Sequence, residues 1–240
     1  MNSLLKAELL KLRTTRSFAI VVGTCAVFSM ILVALGAALG KETHAHELFT
    51  NNSITYVIVL LGAIGMTGEW RHRTITSTTL ASPDRVQLLK AKVVAYAAAG
   101  VVLTVLVTAV TMIVGEITLA ASGHATLGVG GLADVFWRNV AVAVVLAPLG
   151  VCVGALGRNQ IATVVGLVAM AAALEPGIFG ASEAVGRFGP LAQAPGGVLG
   201  GSAETTDGLL SAGPALVVMV AWAAAAFGVA ATRLRNRDLV

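Results

Sequence analysis

The densest group of side chains able to do chemistry lies between Gly68 and Arg85, in the run GEWRHRTITSTTLASPDR. Arg71 and Arg73 can form bidentate pairs with a partner's carboxylates or with lipid phosphates. Glu69, two residues before Arg71, stands where a long apolar run ends, a place where a carboxylate is costly unless paired. Thr74, Thr76, Thr78 and Thr79 offer hydroxyls to backbone groups at an interface. Ser82 can cap a helix, Pro83 suits its first position, and Asp84 adds a favourable charge to its first turn. This is the chemistry of docking and ion pairing. A solvated basic loop beside a membrane accounts for the same charges.

Groups suited to bond-making are absent elsewhere. A nucleotide site needs a Gly-rich loop closed by Lys and then Ser or Thr; the nearest run, GAALGK from Gly36 to Lys41, has other spacing and is followed by Glu42. His44, His46 and Glu47 in HAHE could ligate a metal, but one such cluster in an outer loop reads as solvated, and no metal is expected. Neither GxSxG nor HExxH occurs. Cys25 and Cys152 stand singly in apolar runs and read as packing residues. No catalytic residue is expected.

The elements that position the polar run are membrane helices. Of 240 residues, 57% are hydrophobic and only 12% charged, with a mean hydropathy of +0.88, far from the usual balance of soluble proteins. Ala, Val and Leu runs near the roughly 20 residues that cross a bilayer, without strict alternation, indicate helices and exclude a barrel. The fold expected is all-α, a single membrane domain over residues 1–240. The spans are placed at Phe18–Leu39, Ile54–Gly68, Val93–Leu119, Asn139–Leu156, Ile161–Leu174 and Pro214–Ala231. Met1 to Ser17 has no cleavage pattern. Leu5, Leu9 and Leu12 share one helical face there, apart from Lys6, Lys11, Arg13 and Arg16, which predicts an amphipathic helix over 1–17 lying in the membrane interface.

Glu116 is expected at the far interface, a Gly-rich loop over Ala120–Asp134, and a kink at Pro148. The fifth run is short: it extends past Glu175 and Pro176, thins the bilayer, or enters without crossing. Residues 139–174 accordingly make two crossings or a re-entrant pair. Gly177 to Gly213 is rich in Gly and Pro yet carries Val198, Leu199, Leu209 and Leu210, as a broken re-entrant segment would.

With six crossings, one side collects Lys6, Lys11, Arg13, Arg16, Arg71, Arg73, Arg85, Lys90, Lys92, Arg158, Arg233, Arg235 and Arg237, the other only Lys41, Arg138 and Arg187. The excess of basic residues puts both termini in the cytoplasm. The formal charge of +4 is thereby explained as an orientation signal, with no nucleic acid implied. Mid-span positions are nearly free of ionisable groups, which argues against intramembrane enzymes and ion-driven carriers.

Glu69, Trp70, Arg71, His72, then Thr74, Leu80, Pro83, Arg85 and Lys92, with the basic N-terminal helix and the Arg237, Asp238 ending, resemble permease subunits of type-2 ABC transporters over essentially the whole chain. Arg73 departs from the pattern, which often has Gly there. The resemblance implies a non-catalytic subunit of an exporter in a bacterial plasma membrane. It implies a separate ATPase subunit holding ATP and Mg, and a second permease copy or homologue; no cofactor binds this chain directly. It further implies that residues 69–91 form a coupling segment, with Glu69, Arg71, His72, Arg73, Thr74, Leu80, Pro83 and Arg85 at the ATPase, and that residues 177–213 are re-entrant. Apolar spans suit a hydrophobic or amphipathic cargo. The alternative is a non-transporting scaffold whose basic face binds lipid or a regulator.

Overall fold

The computed structural model describes residues 2–14, 16–39, 45–50, 54–71, 84–157, 159–200 and 206–236. The short α1 (Asn2–Thr14) leads into α2 (Arg16–Leu39), α3 (Ala45–Thr50) and α4 (Ile54–Arg71). Two long helices follow, α5 (Arg85–Ala121) and α6 (Gly128–Leu156). Next, α7 (Gln160–Ala169) passes through a π-turn at Met170–Leu174 into α8 (Glu175–Ala181). The short α9 (Glu183–Gly186) and α10 (Gln193–Leu199) precede α11 (Ala212–Asn236). Among the described residues, six helices are long and apolar enough to cross a membrane: α2, α4, α5, α6, the rod of α7 and α8, and α11. The protein is an all-α multi-pass membrane protein.

Helix boundaries follow from local chemistry. Asp84 is the N-cap of α5, its carboxylate accepting from Val86 N at 3.0 Å and Gln87 N at 3.1 Å. The expected start two residues earlier, with Asp84 inside the first turn, is corrected, because an extended Asp84 satisfies two orphan amides at once. Ser82 and Pro83 lie outside the described residues. The Gly-rich loop expected over Ala120–Asp134 shrinks to a turn, and α6 begins at Gly128. Its glycines are accommodated because Leu127 folds over Gly131, while Glu116 Oε1 accepts from Leu127 N at 3.1 Å to fix the turn. Pro148 sits inside α6, which is helical on both sides of it.

Asn159 caps α7 through Ile161 N and Ala162 N at 2.9 and 3.2 Å. The rod it starts continues past Glu175 and Pro176 to Ala181, which selects extension among the three expectations for the fifth run. Pro176 offers no amide to the preceding turn, and the wider i→i+5 turn at Met170–Leu174 immediately upstream accommodates the missing donor.

At the centre, α6 packs along α4, α5 and α11, with Ile58, Val59, Leu103, Val107 and Leu146 in its core. The α4–α6 crossing is made by backbone. A methyl on Gly62 would meet the Ala147 carbonyl oxygen, one on Gly150 the Val59 carbonyl, and one on Gly154 the Ala63 carbonyl at 2.7 Å. Such close approach is what small residues permit between membrane helices. Gly150→Val is therefore expected to force the pair apart. We predict a loss of about 1–3 kcal/mol or more in thermal or denaturant unfolding of the purified protein, with Gly166→Val, whose Cβ would meet nothing within 4 Å, close to neutral.

Contacts define two faces. Near one lie α1, the end of α4, the start of α5 and the end of α11. At the other, α10 is buried against α11 and α6, and its last carbonyls are held from outside the helix. Arg138 Nη1 donates to Val198 O at 2.9 Å, His46 Nε2 lies 3.2 Å from Leu199 O, and Thr50 Oγ1 donates to Gly200 O at 3.4 Å. Gly200, at φ 74°, ends the helix in the left-handed region that favours glycine.

Candidate functional site

The polar run is flanked by α4 and α5, whose ends nearest it carry the buried charges Glu69 and Lys92. Met66, Leu89, Tyr96, Val151 and Leu234 form an apolar plug, against which Leu12 of α1 and Trp70 pack. Gly65 lets the Tyr96 ring lie on the backbone of α4. Beside this plug stand four charges from three helices. Lys92 of α5, wholly buried, donates to Glu69 Oε1 of α4 at 2.7 Å and to Glu8 Oε2 of α1 at 2.9 Å. Lys11 of α1 donates to the same Glu69 Oε1 at 2.6 Å. Glu69 is 2% exposed and Glu8 6%, while the Lys11 side chain is half exposed.

Two carboxylates and two ammonium groups make the cluster neutral. Burial of any member alone would cost several kcal/mol, so the arrangement persists because each buried charge is met by an opposite one at hydrogen-bond distance. The position of Glu69, expected to be costly unless paired, is explained: it is paired twice. Reading the sequence singled out Glu69, Lys92 and Lys11 separately and missed Glu8. The signal was available, since Glu8 is the only acidic residue before Glu42. Its presence also alters α1. Among the described residues of α1 it is Glu8 that is buried and Leu12 that packs on the plug, while Leu9 and Leu10 stay exposed, so α1 turns a face of carboxylate and leucine to the protein.

The remaining candidates divide. Arg71, exposed, donates from Nη1 to Gln160 Oε1 at 3.4 Å, linking the end of α4 to the start of α7. Arg85 Nη1 donates to Leu234 O at 3.0 Å, linking the start of α5 to the end of α11. Lys6 and Arg13 are exposed on α1, and Arg16 opens α2. His72, Arg73, Thr74, Leu80 and Pro83 lie outside the described residues, as do Arg237 and Asp238. The end of α4 and the start of α5 are thus tied to α1, α7 and α11 as well as to each other.

A second buried carboxylate was noted in the sequence only as a marker of span length. Glu175, 3% exposed, accepts from Leu191 N at 3.0 Å and Ala192 N at 2.7 Å, fixing the turn before α10. Gly189 leaves room for it, since a Cβ there would meet Glu175 Oε2 at 2.5 Å. His46 of the HAHE run is engaged with Leu199 O; His44 lies outside the described residues. Cys25 and Cys152 are free thiols on α2 and α6.

A family model described as ABC-2 family transporter protein matches residues 4–172, from α1 into the π-turn. No curated protein matches the chain.

Proposed function

From the premise that this chain belongs to the ABC-2 family of transporter proteins and is a membrane-embedded permease, we propose that it moves its cargo with force received at residues 72–83 from a separate ATPase subunit. The observation that carries this reading is the anchorage of that segment. Glu69 and Lys92 tie its two flanking helices to each other and, through Glu8 and Lys11, to α1; Arg71 and Arg85 extend the ties to α7 and α11. A displacement at the segment is passed through these side-chain ties to α1 and four of the six spans. The basic excess on this face supports a cytoplasmic position for it and for both termini, where ATP is available.

In this reading the permease works as one of two membrane subunits with two ATPases, in a bacterial plasma membrane, and ATP and Mg stay in the partner. Glu69, Arg71, His72, Arg73, Thr74, Leu80, Pro83 and Arg85 form or brace the docking segment. Lys6 and Arg13 of α1, with Arg16 at the start of α2, hold the membrane surface. The direction is export, and the cargo hydrophobic or amphipathic, in keeping with spans lined by Ala, Val, Leu and Met.

Two measurements test this. Purification of the tagged chain is expected to recover an ATPase in stoichiometric amount. Arg71→Ala, which removes an exposed guanidinium and leaves the buried charge cluster intact, is expected to lower ATP-stimulated transport at least tenfold while the complex still assembles. Recovery of the chain without a nucleotide-binding partner, together with wild-type behaviour of Arg71→Ala, would establish a scaffold instead.

A further inference from the structure

A lateral slot of about 580 Å³ opens between α6, α7 and α11 on the half of the protein nearest the termini. Its walls include Val153, Gly166, Met170, Leu191, Trp222 and Val229. The polar groups among these described lining residues are already used. Thr163 Oγ1 donates to Asn159 O at 2.9 Å, and Trp222 Nε1 donates to Phe188 O at 2.9 Å. A polar ligand would find no partner inside, so the occupant is apolar. Trp222 and Val229 are seven residues apart on α11, about 10 Å along the axis, which compares with about 15 Å for half a hydrocarbon core. The slot therefore has most of the depth of one leaflet. Pro190 and Leu191 line it, on the turn that Glu175 holds.

Its open end is cationic. Arg233 is exposed and stands four residues beyond Val229, one turn further along the same face of α11. Across the slot, the exposed Arg71 reaches Gln160, the first residue of α7, three residues before the lining Thr163. An apolar trough of leaflet depth with guanidinium groups at its rim matches an amphiphile with an anionic head and a hydrocarbon tail. We propose that the slot holds an acyl chain of an anionic phospholipid drawn from the leaflet on the side of the termini, its phosphate at Arg233 with Arg71 at the opposite rim. This site shares only Arg71 with the residues that brace the force-receiving segment and does not require that an ATPase bind there.

The test uses Trp222 as reporter. The full chain carrying Trp70→Phe and Trp137→Phe, which leaves Trp222 as its single tryptophan, is reconstituted in phosphatidylcholine vesicles. These contain a minor fraction of either brominated phosphatidylglycerol or brominated phosphatidylcholine. Brominated phosphatidylglycerol is expected to quench Trp222 at about fivefold lower mole fraction, the factor one basic residue confers at a lipid surface. Arg233→Gln is expected to abolish that preference. Gly166→Leu, whose Cβ meets nothing within 4 Å and whose side chain enters the slot, is expected to reduce quenching by both lipids. Native mass spectrometry of the unsubstituted chain, counting retained phosphatidylglycerol against the Arg233→Gln variant, repeats the comparison without tryptophan replacements. Equal quenching by the two lipids, or a preference that survives Arg233→Gln, overturns the proposal. So does a Trp222 shielded from both lipids, which would assign the slot to a second protein chain.

Discussion

Lys92→Met is expected to be the most damaging single substitution on the termini face. The methionine fills the space of the aliphatic stem but leaves Glu8 and Glu69, both buried, without the ammonium that lies 2.9 and 2.7 Å from them. Breaking one side of a buried ion pair typically costs about 3–5 kcal/mol, because the uncompensated charge stays in a poorly solvated place. The half-exposed Lys11 sits at 2.6 Å from Glu69 Oε1, and one ammonium group cannot neutralise both carboxylates. Glu8 is then expected to leave for water, taking α1 with it. The readouts are a lower unfolding temperature and protease cleavage at Lys6 or Lys11, exposed basic sites on α1. The combination Glu8→Leu, Glu69→Leu, Lys92→Leu distinguishes stability from transmission. Replacing a whole buried charge cluster by apolar side chains is often neutral or stabilising, so this variant should recover the unfolding temperature. If Lys92→Met unfolds like the wild type, the cluster does not hold α1.

The second large effect is expected at Glu175→Leu. Leucine is close in size but offers no acceptor to Leu191 N and Ala192 N, which sit at 3.0 and 2.7 Å from the carboxylate. Each orphaned buried amide costs about 1–3 kcal/mol, and backbone at membrane depth has little water to turn to. The turn before α10 should loosen, and amide hydrogen exchange at Leu191 and Ala192 should rise by roughly 10²-fold or more while exchange in α6 is unchanged. Glu175→Gln, which keeps one acceptor oxygen, is expected to fall between the two. Unchanged exchange in Glu175→Leu would mean that the turn is held by its packing alone.

How far these sites were legible depended on sequence distance. The six spans follow from hydropathy, and Glu69 stood out because a carboxylate at the end of an apolar run needs a partner. Its partners lie 23 and 58 residues away, and Glu8 meets Lys92 across 84, separations that no periodicity encodes. Glycine misled the reading in one place. The run around Gly128, Gly130 and Gly131 suggests a loop by propensity, yet in a membrane helix propensity is a weak prior and α6 starts there. At Gly62 the close approach to α6 depends on a backbone surface more than 80 residues away, which no local signal encodes.

The crossing of α4 and α6 has a consequence for how such a protein changes shape. Where main chain touches main chain there are no rotamers to flip and no ridge that can step into a neighbouring groove, so sliding is blocked. These two helices should behave as a fixed strut. Any rearrangement that opens a passage is then left to the peripheral helices, hinged at their ends, and a crosslink stapling α4 to α6 ought to leave the cycle running.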